Sequence, residues 1–249
     1  MENNAIQEVE AIKENKRNDF FFEWIHRSRS EYDERFRETA GVFGIDLDGV
    51  HRAAVVRMKR VRYSVLEDVR SMLFEGEYIV RQGIEGFTVL LIEGRGFRQR
   101  MNRLMSLTKD FSLCAVGFPS NSAKETVESA EQTLQIGMLY APDEHLFFEE
   151  DMVPELMVAA LEGERHLDEL CERFEECDED GSLCKTILVY GANGEDQKKV
   201  CEALFVHRNT LSYRLTKLRE MTGLDPRNPR QFILLYAAAL RRLKEMKEV

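Results

Sequence analysis

Between Ala203 and Leu224 the chain reads ALFVHRNTLSYRLTKLREMTGL, a stretch rich in side chains of one chemical kind. Arg208, Asn209, Thr210, Ser212, Tyr213, Arg214, Lys217 and Arg219 all donate hydrogen bonds or carry positive charge. That set suits a polyanion with readable edges. Arginine pairs bidentately with guanine and Asn with adenine, a Thr methyl can touch thymine, and Ser, Tyr and Lys commonly hold phosphates.

Those side chains need a helix to aim them. At about 100° per residue, Leu211, Leu215 and Leu218 share one stripe that must face a core. Asn209, Tyr213, Thr216 and Glu220 occupy the opposite side, flanked by Ser212, Arg219, Thr210 and Lys217. A second helix is expected from Glu195 to Leu204, and the four residues Phe205 to Arg208 join the two in the proportions of a helix-turn-helix. The front of such a recognition helix enters the groove first, so Arg208, Asn209, Ser212 and Tyr213 are the candidates for base edges or nearby phosphates. Thr210, Arg214, Lys217 and Arg219 are expected to fix its position on the backbone, and His207 reads as a capping or packing residue. A generic surface helix is the alternative, because any amphipathic helix exposes charges.

Charge is distributed to match. The 249 residues carry a net −10, yet Thr186 to Val249 hold twelve Lys and Arg against seven Asp and Glu, a balance of +5 that leaves −15 on residues 1–185. A basic end on an acidic body points to a localised polyanion site. No apolar run approaches the ~18 residues that span a bilayer, and MENNAIQEVEAIKENKR has no apolar segment after its charges, so a cytoplasmic protein without a membrane partner is expected. Cys114, Cys171, Cys177, Cys184 and Cys201 are odd in number and never spaced Cys-x-x-Cys, which argues against a disulfide framework or zinc site. His26, His51, His145 and His166 show no metal spacing either. No catalytic residue, metal or cofactor is therefore nominated. Glu93-Gly94-Arg95-Gly96 lacks the spacing of a phosphate loop.

The rest of the chain reads as positioning structure. Residues 1–18 suggest a helix or tail with the small stripe Ile6, Val9 and Ile12. A helix from Phe20 stopped by Gly41 and Gly44 is followed by strand, helix, hairpin, helix, strand, helix and strand, an order that favours an α/β sandwich with a mixed sheet over residues 19–150. Ser122 is placed as the cap of the long helix in that series. Residues 151–184, with EEDMVPEL and DELCERFEECDED, read as an acidic, solvated connecting helix. An all-helical domain fills 185–249, with Gly223 ending the recognition helix and Pro229 opening the last one. The fold class expected is α+β.

LFVHRNTLSYRLTKLREMTGLDPRNPRQFILLYAAAL resembles, along its length, the C-terminal helix-turn-helix of the PucR/CdaR family of bacterial transcriptional regulators. The shared features are the hydrophobic pair before His207–Leu211, then Tyr213–Leu215, Thr222–Asp225 and the alanine-rich Tyr236–Leu240. The same core is similar to the DNA-binding end of the Fis nucleoid protein, which implies groove contact by Arg208, Thr210, Ser212 and Tyr213. Where the family usually has small residues, GEDQKKVCEAL stands before the turn; Glu195 and Asp196 there suit a helix start.

The α/β region, with phrases such as AGVFGIDLDGVHRAAVVRM, is similar to the GGDEF-like middle domain of that family. Its hairpin reads Gly83-Ile84-Glu85-Gly86-Phe87, without the second glycine and second acid, and AAVVRMK has no carboxylate to hold magnesium. The resemblance thus implies a catalytically degenerate domain with a packing, dimerising or ligand-sensing role. The expected function is a sequence-specific DNA-binding regulator, not an enzyme, probing double-stranded DNA as a homodimer at an inverted repeat and controlling a catabolic operon in response to an unidentified effector. The alternative is a nucleotide-binding or cyclase-type GGDEF relative regulated by its helical end.

Overall fold

A computed structural model describes residues 15–108, 112–161, 163–194 and 196–248, and the chain divides into two compact units, Met1–Met152 and Val153–Val249. The class is α+β, with a five-stranded mixed sheet in the first unit and helices alone in the second.

In the first unit, strands β1 (Arg52–Arg57), β2 (Tyr78–Gln82), β3 (Gly86–Leu91), β4 (Leu113–Val116) and β5 (Leu146–Phe148) lie in the order β2-β3-β1-β4-β5. All pairings are antiparallel except β4 with β5. Period-two alternation sorts their side chains between two layers. Ala54, Val56, Phe87, Val89, Leu91, Cys114 and Val116 pack with helices α3 (Tyr63–Arg70) and α4 (Phe97–Thr108). On the other side α5 (Ala123–Tyr140) lies against β1 and β4. Its buried Thr126 hydroxyl accepts from Ala53 N and donates to Phe118 O, so the polar groups of this tight contact are satisfied. Ser122 caps α5 by accepting from Glu125 N, as its type and place predict.

The single helix expected from Phe20 is broken. Residues 15–26 form α1, Arg29–Glu31 a 3-10 turn, and Glu34–Val42 helix α2. Ser28 and Asp33 are both helix-capping residues in extended conformation, so they start new elements instead of continuing an old one. Phe20, Phe21 and Trp24 are buried, with Phe20 stacked on Phe36 and Trp24 edge-on to Tyr78. The stripe Ile6, Val9 and Ile12 lies outside the described residues. The first strand ends at Arg57, beyond which Met58 N and Val61 N donate to the hairpin carbonyls of Glu85 and Ile84.

The acidic connecting helix over 151–184 is likewise replaced by several shorter pieces: α6 (Val153–Ala160), α7 (Arg165–Cys177) and the start of α8 (Ser182–Asn193). Acidic residues cover only one side of α7. Its Leu167, Cys171 and Phe174, at spacings of four and three, are buried in the core of the helical unit, where α7 packs on the last helix, α11 (Pro229–Glu248). All five cysteines are free, and burial pushes the Cys114 thiol up to about 12. Among the described residues no helix is long and apolar enough to cross a membrane, and no group of three or more His, Cys, Asp or Glu is placed to hold a metal.

Candidate nucleic-acid interface

Helix α9 (Gln197–Leu204) opens on Asp196, whose carboxylate accepts from Lys198 N and Lys199 N. Glu195, the other acid expected at this start, lies outside the described residues. The helix ends at Phe205, which has φ 55° and is the one described non-glycine residue in the left-handed region. Val206 N then donates to Cys201 O at 3.0 Å, closing a Schellman-type turn. This turn packs Val206 onto the core and throws the Phe205 ring outward, where it is 95% exposed.

Two residues later α10 (Arg208–Thr222) begins. His207 is extended, and its Nδ1 accepts from Asn209 N at 3.3 Å while its carbonyl takes Thr210 N and Leu211 N. An imidazole that accepts at Nδ1 carries its proton on Nε2. Gly223, with φ 75°, stops the helix by donating from its N to Arg219 O. Leu211, Leu215 and Leu218 are buried among Ile187, Val200, Leu204 and Leu235, so the stripe faces the core as its spacing requires.

The predicted contact residues then divide into two groups. Arg208, Asn209, Thr210, Ser212 and Tyr213 are exposed at the front of the helix, Tyr213 to 66%. Arg219 is also exposed, 3.6 Å from the Asp225 carboxylate. Arg214 and Lys217 are partly buried and turned sideways. Arg214 Nη1 donates to Thr186 Oγ1 on α8 at 3.2 Å, and Lys217 Nζ donates to the carbonyl of Cys177, the last residue of α7, at 3.3 Å. Between these two points runs the loop Asp178–Gly181. Asp178 is buried and accepts from Leu183 N and Cys184 N, whereas Asp180 is held below the usual carboxylate range by the Ser182 hydroxyl and backbone N–H, with Arg214 adding a smaller attraction.

Sequence reasoning did not find Thr186, Cys177 or the exposed Phe205. The wheel carried one readable signal: Arg214 falls only about 40° from Leu218, on the border of the buried stripe.

The sequence profile of the PucR C-terminal helix-turn-helix domain matches residues 183–241, which include α9, the turn and α10. Three curated proteins are similar to parts of the chain. The carbohydrate diacid regulator of Escherichia coli (strain K12) is 28% identical over 151 residues, 57% of this chain and 39% of that protein. An uncharacterized protein of Haemophilus influenzae is 35% identical over 101 residues, 39% of this chain and 27% of that one. The proline-responsive transcriptional activator PutR of Bacillus subtilis (strain 168) is 44% identical over 50 residues, 19% of this chain and 12% of that protein. The chain thus matches about two-fifths or less of the length of each of these relatives.

Proposed function

We propose that this chain is a transcriptional regulator of the PucR/CdaR family and that its helical unit binds duplex DNA sequence-specifically through the front of α10. One observation carries this reading: Arg208, Asn209, Thr210, Ser212 and Tyr213 are exposed together at the N-terminal end of a helix whose leucine stripe is buried behind a helix-turn-helix corner. Arg208 and Asn209 supply the bidentate donors and acceptors that read purine edges, while Ser212, Tyr213 and Thr210 reach phosphates and methyl groups. Arg219 lies on the exposed side and contributes a phosphate contact. Two copies acting as a homodimer place two such helices about 34 Å apart on one face of an inverted repeat.

The relatives' names, one a carbohydrate diacid regulator and one a proline-responsive activator, support control of catabolic genes in the cytoplasm, in response to a small metabolite. The α/β unit serves this regulator as a GGDEF-like module for packing, dimerising or sensing. Its residues do not favour cyclase chemistry: β1 has no carboxylate, and the β2–β3 hairpin carries Glu85 as its single acid.

Selection of bound sequences from a random duplex library, followed by affinities at two salt concentrations, tests the reading. An inverted repeat with a steep salt dependence is the expected result. Absent or sequence-blind binding overturns it, and turnover of GTP with magnesium overturns the non-enzymatic reading of the first unit.

A further inference from the structure

We propose that Arg214 and Lys217 are positioning residues that lock the recognition helix α10 onto the junction of α7 and α8, and that they do not contact phosphate. This rests on the DNA-binding reading above for its functional consequence, but its geometry stands in the helical unit alone.

Thr186 is fully buried on α8, and its hydroxyl donates to Ser182 O at 2.7 Å. One of the two acceptor lone pairs of that oxygen is taken by Arg214 Nη1 at 3.2 Å. A guanidinium held by a buried partner presents a fixed fork, unlike a solvated cation. Three residues on, along the same edge of α10, Lys217 reaches the Cys177 carbonyl, at the negative end of the α7 dipole. The two cations therefore grip both sides of one loop. That loop carries Asp178, Glu179 and Asp180, and the last two are exposed.

An acidic loop beside this edge disfavours a phosphate there, since like charges repel more strongly near a protein surface than in bulk water. The duplex is thereby directed to the other side of α10, where Arg208, Asn209, Ser212 and Tyr213 stand. The clamp also sets the pitch of α10 against α8, and small errors in that pitch displace every base contact at once.

The test compares R214M with T186V on a duplex recovered by selection. T186V removes the acceptor and leaves the cation. If Arg214 positions the helix, both variants bind roughly tenfold more weakly, the effect of one hydrogen bond to a charged group, and both keep the wild-type slope of log affinity against log salt. If Arg214 holds a phosphate, R214M lowers that slope by about 0.9 and T186V binds like wild type, and the inference is wrong. K217M is expected to keep the slope as well, and a loss of about 0.9 there removes Lys217 from the clamp. A wild-type chain that binds no duplex defeats the DNA-binding reading, and thermal unfolding then decides the clamp: R214M and T186V must be non-additive in the double variant, whereas additive losses overturn it.

Discussion

Arg100 grips the carboxylate of Glu77 with both terminal nitrogens of its guanidinium, and the Glu77 side chain is wholly buried beneath it. The same carboxylate accepts from Phe74 N at 2.8 Å and Ile92 N at 2.9 Å, so it ties the loop before β2, the end of β3 and helix α4 together. Burial acts to raise the Glu77 pKa, but Arg100 and the two backbone N–H groups outweigh it and hold the carboxyl below its usual range.

Because the folded pKa is depressed, the stabilisation is present above the unfolded carboxylate value of about 4.3 and is lost as pH falls through the folded pKa. E77Q keeps the shape and removes the charge. The variant is expected to lose roughly 3 kcal/mol at pH 7 and to show a flatter stability profile between about pH 5 and pH 3. Trp24, the single tryptophan, is buried in this unit, so its fluorescence during denaturant unfolding reports the change. Acid sensitivity equal to wild type would refute this account of Glu77.

Arg208 is exposed at the first position of α10, where it meets a base edge in the proposed complex. R208A should cost about 1–3 kcal/mol on the selected site and relax preference at one base pair. Binding to the selected site and to a single-position variant of it measures both quantities. Unchanged affinity with unchanged preference would remove Arg208 from the groove.

Phe205 holds a left-handed conformation with its ring in solvent, so its side chain gains no core contact for the backbone strain it bears. Asparagine tolerates that conformation better than an aromatic residue. F205N is expected to stabilise the helical unit by about 0.5–1 kcal/mol, read as a raised midpoint by far-UV circular dichroism. A lowered midpoint would mean that the exposed ring supports the fold in some other way.

Gly137 lies on the sheet-facing side of α5, where an added Cβ would stand 2.4 Å from the Phe147 ring on β5. G137A must shift either the helix or that ring, at a cost of roughly 1–3 kcal/mol, despite alanine's better helix propensity. Trp24 fluorescence during thermal unfolding shows whether packing or propensity prevails, and a raised midpoint would reverse this ranking.

The α/β order was legible because each element there has one strong local signal. Alternation marks the strands, Ser122 caps α5, and glycines mark the hairpin. The failures share a cause too. Between residues 20 and 45, continuous amphipathic character concealed two capping residues, Ser28 and Asp33, that restart the chain. In α7 the surrounding acids concealed a stripe of Leu167, Cys171 and Phe174, and only the presence of α11 shows that this stripe is covered.

By itself, the sequence determined the recognition helix: its leucine stripe, its glycine stop and the exposed polar residues at its front all follow from a 3.6-residue period and local capping chemistry. Tertiary structure decided which cations remain available to a partner. Arg208 and Arg214 are the same residue type six residues apart on one helix, yet Arg208 is exposed and Arg214 is bonded to Thr186, 28 residues back in the chain. Such a partner is set by the packing of α8 against α10, a long-range contact that no local period encodes.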